Sequence, residues 1–320
     1  MKLHENINID GINRLKSRAY FKSFKSLEYA KLGDKEFTHN YLLLNGVWKF
    51  LFLDAPEYAP EDFYKEDIDL KNYNDIQVPG NWQMQGYGKM HYSDLWYSFP
   101  INPPYVPTEN PTGIYRRDFQ IDETWLNKRI IIRFNGVDSA YKLFINGVEV
   151  GYSKGARLTA EFDVTDFVRI GKNQITVVVY QWSDGTYLED QDMWWLSGIF
   201  RDVELYSDPI EGIEDIFIKT DLDGSYSKGI LEVNFKIKEN NNHRLHLSLV
   251  DKDGNEVLED TIIPSSKDFA FKSKEIEVET WNAEEPNLYT LYISNYKDAD
   301  IIEVIPIKVG FRKIEVKEIG

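Results

Sequence analysis

The sequence predicts an all-β protein built from two sandwiches, and two patterns of apolar residues predict that fold. Between residues 42 and 208, short runs rich in β-branched and aromatic residues are separated by turn residues and long loops. Beyond Asp208-Pro209, apolar and polar residues alternate strictly along each run. Both patterns are typical of β-strands, and strict alternation indicates strands with one buried and one solvent-facing side.

The first region contains strands that differ in their expected burial. Trp48–Phe52 and Arg129–Phe134 have the length and composition of short strands. Gln174–Tyr180 is nearly all β-branched, which favours burial on both faces. Tyr141–Val150 predicts a hairpin, because its Asn146-Gly147 pair supplies the positive φ that a two-residue turn requires.

The second region shows the alternating pattern most clearly. Two runs place an apolar residue at every other position: Leu231, Val233, Phe235 and Ile237, then Leu245, Leu247 and Leu249. Tight turns such as Asp253-Gly254 and the lack of long loops leave little room for a site. We therefore predict an immunoglobulin-like spacer here, with His243 and His246 at its surface.

Four segments follow from this organisation. Residues 1–40 show weak periodicity, and we interpret them as an extended arm, with a turn or two of helix, that lies on another surface. The first sandwich is predicted at residues 41–208 and the second at 209–310. Residues 311–320 then form the start of a linker.

The composition limits the classes of partner. A formal net charge of −16, from 53 acidic and 37 basic residues, repels phosphate backbones and anionic lipid, so we expect neither nucleic acid nor a membrane as partner. The absence of cysteine excludes disulfides and thiolate chemistry. The N-terminus is polar and no apolar run approaches the roughly 20 residues that span a bilayer, so we expect a cytoplasmic protein.

A proline-rich stretch, residues 102–115, is the first candidate binding loop. It contains four prolines, at positions 103, 104, 107 and 111. Proline fixes φ and removes a backbone donor, so the loop is stiff and can hold polar side chains for a ligand at little entropic cost. Those side chains are Asn102, Thr108, Glu109 and Asn110. The alternative is a structural crossover whose polar groups cap their own backbone, and composition alone favours it.

A second candidate loop, residues 183–202, carries three carboxylates within four residues: Glu189, Asp190 and Asp192. Carboxylates this close repel one another unless a cation, an arginine or hydrogen bonds hold them. Three fates are open: they bind a hard cation such as Na⁺ or Ca²⁺, accept hydrogen bonds from sugar hydroxyls, or face water. A catalytic pair is the weakest alternative, because a retaining glycosidase needs carboxyls about 5 Å apart across a cleft.

Long, mostly unbroken motifs resemble the sugar-binding domain of bacterial β-galactosidases, in glycoside hydrolase family 2. They are Val78–Trp82, Asn102–Tyr115, Phe134–Ala140, Asn146-Gly147, Ser183–Met193 and Ser197–Asp202. Trp281–Tyr289 and Gly310–Glu315 resemble the family's second domain and its exit toward the catalytic barrel. The resemblance covers nearly the whole chain, and it implies a jelly-roll sandwich followed by an immunoglobulin-like sandwich.

The resemblance implies roles for three residues. Asn102 matches an asparagine that reaches the galactose, and Asp192 matches an aspartate that contacts the sugar and helps to hold a sodium ion. Asp184 matches an aspartate near a structural magnesium site shared with the N-terminal arm. Lys154 stands where that magnesium site would want a neutral amide, which argues against magnesium in this segment. The implied cofactors are therefore Na⁺, through a partial site, and Mg²⁺ in the parent enzyme.

The family's catalytic glutamates and remaining sodium ligands lie on a barrel that has no counterpart in these 320 residues. We therefore expect the N-terminal part of a retaining β-galactosidase that hydrolyses β-galactosides such as lactose. This part recognises galactose, contains no catalytic residue and is inactive alone. In the intact enzyme we expect further copies of the chain or a barrel-bearing partner. The alternative is a non-catalytic carbohydrate-binding or assembly module that docks such a partner.

Overall fold

A computed structural model describes residues 2–35, 38–93, 95–238, 242–316 and 318, and regular structure in it is almost entirely β. The chain forms two compact units. The first unit comprises residues 2–17 and 41–207, and the second unit comprises residues 18–40 and 208–318. The all-β prediction is confirmed, and the described residues contain no catalytic barrel. The end of the expected linker, at residues 317, 319 and 320, lies outside the described residues.

The described strands are short and follow one another closely along the chain. They are β1 (Gly11–Ile12), β2 (Asn40–Leu43), β3 (Gly46–Leu53), β4 (Asn74–Val78), β5 (His91–Tyr92), β6 (Thr112–Ile121), β7 (Lys128–Phe134), β8 (Val137–Asp138), β9 (Ala140–Ile145), β10 (Val148–Lys154), β11 (Ala160–Asp163), β12 (Gly171–Tyr180), β13 (Trp194–Trp195), β14 (Gly198–Ile199), β15 (Val203–Pro209), β16 (Ile213–Leu222), β17 (Lys228–Ile237), β18 (His243–Val250), β19 (Glu256–Ile262), β20 (Asp268–Lys272), β21 (Ile276–Glu277), β22 (Tyr289–Lys297) and β23 (Asp300–Val309).

Helical structure is limited to short segments. The α-helices are α1 (Leu27–Leu32) and α2 (Thr186–Glu189), and 3-10 turns lie at Leu3–Glu5, Pro56–Tyr58, Gln83–Gln85 and Glu123–Trp125. Ser26 begins α1 by accepting a hydrogen bond from the Tyr29 N–H, and Gly33, with φ of 71°, ends it. Neither α-helix in the described part of the chain has the length and apolar character needed to cross a membrane.

The first unit is a β-sandwich. One sheet has seven strands in the order β1-β10-β9-β12-β6-β3-β4, and the other has four in the order β11-β7-β15-β2. Apolar side chains from both sheets meet in one core, among them Trp48 and Leu143 from the first sheet and Ile132 and Leu205 from the second. Two sheets that share a core are the architecture that the jelly-roll expectation requires.

The hairpin and the doubly buried strand of the sequence analysis are both confirmed. Val148 of β10 lies opposite Ile145 of β9, and Asn146 and Gly147 between them have φ of 50° and 80°. Strand β12 lies between β6 and β9, and its alternate side chains enter two different apolar clusters, one on each face of the sheet. The β-branched run in β12 is thus explained by burial on both faces.

The second unit is also built from two sheets. Strands β16, β17 and β20 form one, with β21 beside β17, and β19-β18-β22-β23 form the other. Strand β17 alternates between buried and half-buried positions along its whole length, as its sequence predicts. Part of the N-terminal arm belongs to this unit, since the backbone of Phe24 hydrogen-bonds to that of Val304 in β23 at 2.9 and 2.8 Å. The arm therefore divides between the two units.

The expectation that His243 lies at the surface is wrong. His243 is buried, and its Nδ1 lies 2.9 Å from Oδ1 of Asn295. Asn295 in turn donates from Nδ2 to Oε1 of the buried Glu303 at 2.9 Å. The sequence does indicate that His243 is buried, because His243 lies two positions from the buried Leu245 and alternate residues of a strand face the same side.

Buried Glu303 gives the second unit a specific pH dependence. Its carboxylate accepts hydrogen bonds from Ser23 Oγ at 2.9 Å and from the Ile213 N–H at 2.6 Å, yet burial dominates and raises the pKa of Glu303. The folded state therefore holds this proton more tightly than the unfolded state, and the stabilisation is lost as pH rises from about 4.5 through the raised pKa. We expect Glu303→Gln to lack this dependence.

The measurement is denaturant unfolding of the parent chain and of Glu303→Gln between neutral and mildly acidic pH. The free energy of unfolding of the parent chain, relative to Glu303→Gln, should increase as the pH is lowered. Glu284→Gln is the matched change of an exposed carboxyl. Its free energy of unfolding should vary with pH in the same way as that of the parent chain. Parallel curves for the parent chain and Glu303→Gln would contradict the assignment.

Candidate functional site

The pairing of β6 with β12 brings the two candidate loops together. Thr112, where β6 begins, lies opposite Tyr180, where β12 ends. The proline-rich loop therefore enters the sheet beside the point where the acidic loop leaves it. The Gln181 N–H donates to the Pro111 carbonyl at 2.9 Å and extends this contact beyond the strands.

Asn110 fastens the two loops to each other. Its Nδ2 donates to the Trp182 carbonyl at 2.9 Å, and its Oδ1 accepts from the Trp182 N–H at 2.8 Å. Asn110 is fully buried. Asn110 therefore has a structural role and not a binding role. Its amide pairs with backbone groups and is not available to a ligand.

An aromatic cluster lies beneath both loops. It consists of Tyr97, Phe99, Val106, Trp182, Tyr187 and Trp195. The ring centroids of Trp182 lie 5.1 Å from those of both Phe99 and Trp195, and Tyr97 lies 5.4 Å from Tyr187. Tyr97 also donates from Oη to the Tyr187 carbonyl at 2.9 Å. Close packing of these rings, edge-to-face for Trp182 with Phe99 and Trp195, gives the loops a common support.

Asn102 is attached to this aromatic cluster through its backbone. Its N–H donates to Tyr187 Oη at 3.2 Å, and its carbonyl accepts from the Tyr105 N–H at 2.9 Å. Tyr187 Oη also donates to the Tyr105 carbonyl at 2.7 Å. The backbone of Asn102 is thus held in place, while the residue itself is exposed.

Asp192 is linked to the same aromatic cluster through the pairing of β5 with β13. It is exposed, and its Oδ1 accepts a hydrogen bond from Tyr92 Oη at 2.6 Å. Tyr92 pairs with Trp194 across β5 and β13, and their ring centroids lie 5.6 Å apart. Since Trp195 is the next residue of β13, Asn102 and Asp192 lie on segments anchored to one aromatic cluster.

The three neighbouring carboxylates do not act together. Glu189 turns inward and accepts from the Ala156 N–H at 3.0 and 3.2 Å, and burial raises the pKa of Glu189. Asp192 faces outward beside Tyr92. Within the described residues, no group of three histidine, aspartate or glutamate side chains could hold a metal ion. Asp192 therefore offers one carboxylate of a sodium site, and the sodium ion stays a prediction.

The ammonium group of Lys154 lies beside Asp184, at the position where the resemblance implies a divalent cation. Nζ of Lys154 lies 2.5 Å from Oδ2 of Asp184 and 3.0 Å from the Asn6 carbonyl. The Asp184 N–H donates to the His4 carbonyl at 2.8 Å, so the arm and the sandwich meet at this ion pair. Magnesium requires several oxygen ligands at about 2 Å, and an ammonium at this position excludes that arrangement. These residues do not fit magnesium.

The tyrosine partners of the two candidate residues were not identified from the sequence. Tyr92 is separated from Asp192 by 100 residues, and Tyr187 from Asn102 by 85. Only the abundance of aromatic residues near both loops indicated such contacts. An exposed amide, an exposed carboxylate and half-exposed rings suit a neutral ligand rich in hydroxyl groups.

Two family models match the chain. Residues 42–209 match the sugar-binding domain of the glycosyl hydrolases of family 2. Residues 212–312 match a second domain of the glycosyl hydrolases of family 2. Together these two matches cover nearly all of the two sandwiches.

Curated relatives are named β-galactosidase. One from Photobacterium profundum is 40% identical over 327 residues, which cover 98% of this chain and 31% of the relative. One from Clostridium acetobutylicum is 38% identical, with 98% of this chain and 36% of the relative covered. The chain thus spans about a third of the length of these relatives, and it corresponds to their N-terminal portion.

Solved structures share the fold. A β-glucuronidase of Bifidobacterium dentium superposes with a TM-score of 0.69 at 20% identity, over 87% of this chain and 49% of that one. A β-glucuronidase of Bacteroides uniformis gives 0.67 at 21% identity, over 85% of this chain and 32% of that one. At such identities the likeness shows the fold alone. From the two family models and the curated relatives, this chain belongs to glycoside hydrolase family 2.

Proposed function

We propose that this chain is the galactose-recognising part of a retaining β-galactosidase that hydrolyses terminal β-galactosides such as lactose. The observation that supports it most is the placement of Asn102 and Asp192, both exposed and both anchored to one aromatic cluster. The relatives named β-galactosidase, aligned over 98% of the chain, support the choice of substrate.

The two residues have complementary roles in this proposal. The Asn102 amide both donates to and accepts from sugar hydroxyls, and the Asp192 carboxylate accepts from them. Hydrogen bonds to a charged group contribute roughly 1.5–3 kcal/mol, so Asp192 carries the larger share. Asp192 would also supply one oxygen to a bound Na⁺. The general acid and the nucleophile lie outside these residues, so the chain alone binds galactose without hydrolysing lactose.

Galactose binding to the 320-residue chain tests this assignment. Because only part of the pocket is present, we expect a Kd in roughly the millimolar range, measured by ligand-observed NMR. Asp192→Asn should weaken binding by about tenfold or more, and Asn102→Ala should weaken it by a smaller factor. Asn74→Ala, an exposed asparagine on β4 of the same unit, should bind as the parent chain does. Equal binding by all variants, or lactose hydrolysis lost in Asp192→Ala, would contradict the proposal.

A second candidate function, docking of a barrel-bearing chain, is favoured by apolar residues around the same loops. Ile101 is next to Asn102, Leu188 is next to Tyr187, and both are exposed. Leu95 and Trp96 are exposed on the segment that precedes them. Large exposed apolar side chains grouped near one site are typical of surfaces that another polypeptide covers.

A further inference from the structure

A separate cleft of about 650 Å³ lies in the first unit. Neither Asn102 nor Asp192 lines it. Its volume falls within the roughly 300–1,000 Å³ of small-molecule sites. We propose that this cleft is a second binding site, for a neutral oligosaccharide, which shares the supporting rings of Phe99 and Trp182 with the Asn102 and Asp192 site.

One wall of the cleft is aromatic. Phe99 and Trp182 line it, with ring centroids 5.1 Å apart. Asn110 fixes the backbone of Trp182 from behind, so this wall is rigid before a ligand arrives. Tyr58 lines the cleft with 68% of its surface exposed, which leaves its ring free to cover one face of a sugar.

The same cleft is lined by a glutamine, Gln181, whose residue is mostly buried. Only 3% of its surface is exposed. Its side-chain amide can donate and accept at once, which matches the hydroxyl groups of a sugar.

The charges in the cleft select for a neutral ligand. Asp54 and Glu109 present two exposed carboxylates, and Lys89 and His91 also line the cleft. Carboxylates accept hydrogen bonds from hydroxyl groups but repel anionic ligands. A phosphate or a uronic acid is therefore disfavoured here relative to a neutral saccharide, whose hydroxyl groups can pair with carboxylates and with an amide.

The test is an amide NMR titration of the 320-residue chain with lactose and cellobiose as probes, and with glucuronate as the anionic control. We expect both neutral sugars to shift the side-chain amide of Gln181 and the backbone amides of Gly88, Phe99 and Glu109. Glucuronate should leave them unchanged. The double variant Tyr58→Ala/Glu109→Gln should weaken binding by at least about tenfold.

The outcomes separate the two sites. Tyr226→Ala, an exposed tyrosine of the second unit, is the matched control and should bind as the parent chain does. Shifts confined to Asn102, Tyr187 and Asp192 would support the galactose site and overturn this cleft. The proposal is also overturned by an absence of cleft shifts up to the solubility limit of lactose, by equal shifts with glucuronate, or by an unaffected double variant.

Discussion

Replacing Lys154 with methionine should lower the free energy of unfolding of the first unit by roughly 3–5 kcal/mol, because it removes one partner of a buried ion pair. The side chains of Lys154 and Asp184 are only 10% and 7% exposed. Without the ammonium, the Asp184 carboxylate is buried without a counter-charge, and its Oδ1 already lacks a hydrogen-bond partner among the described residues. The change also removes the contact with the Asn6 carbonyl that holds the arm.

Denaturant unfolding measures this loss, and the chain offers a matched control. Lys142 pairs with Glu149 at 3.3 Å, but their side chains are 27% and 44% exposed. Lys142→Met should therefore cost less than about 1 kcal/mol. The double variant Lys154→Met/Asp184→Leu should recover much of the lost stability, because it removes the buried charge as well. If Lys154→Met and Lys142→Met unfold alike, the ion pair does not have the importance assigned to it.

The same ion pair predicts how the stability of the chain responds to metal removal. Since Lys154 already neutralises Asp184, a chelator such as EDTA should leave the unfolding midpoint of this chain unchanged, and added magnesium should not raise it. A midpoint that falls in EDTA and recovers with magnesium would show that a divalent cation binds where we infer that it does not.

The second large effect concerns Asn110, which touches no proposed ligand. Asn110→Ala leaves the buried N–H and carbonyl of Trp182 without partners, and each unsatisfied group costs roughly 1–3 kcal/mol. We expect a total loss of about 2–6 kcal/mol. Because the proline-rich loop then loses its side-chain attachment to Trp182, galactose binding should fall as far as it does in Asn102→Ala.

A graded series distinguishes this fastening role from a general loss of packing. Asn110→Asp keeps the acceptor for the Trp182 N–H but replaces the donor by a buried carboxylate, so its stability should rise toward that of the parent chain as the pH is lowered and the carboxyl is protonated. Calorimetric unfolding and galactose titration of the same samples measure both effects. An Asn110→Ala variant that retains full stability and full binding would show that the two loops hold together by other contacts.

Much of the fold follows from local patterns because strand periodicity is local. The β-branched run of β12 predicts burial on two faces, and the two apolar clusters that flank that strand confirm it. The Asn146-Gly147 pair predicts the hairpin through its positive φ alone. His243 was misplaced because its residue type was given more weight than its phase with Leu245.

The contacts of the candidate site could not be predicted from local patterns. Tyr92 and Asp192 meet only because β5 pairs with β13, and no spacing in the sequence indicates that pairing. The fastening role of Asn110 likewise depends on Thr112 lying opposite Tyr180. Sequence similarity identified Asn102, Asp192, Asp184 and Lys154, but the contacts of each residue were visible only in the fold.

The division of the arm has a consequence for how the polypeptide is made. Ser23 and Glu303, which hydrogen-bond in the second unit, are 280 residues apart. At translation rates of about 5–20 residues per second, Ser23 emerges from the ribosome on the order of tens of seconds before Glu303 is synthesised. During that interval the neighbouring ring of Phe24 has no native position, so a chaperone that shields apolar segments would have an early binding site there.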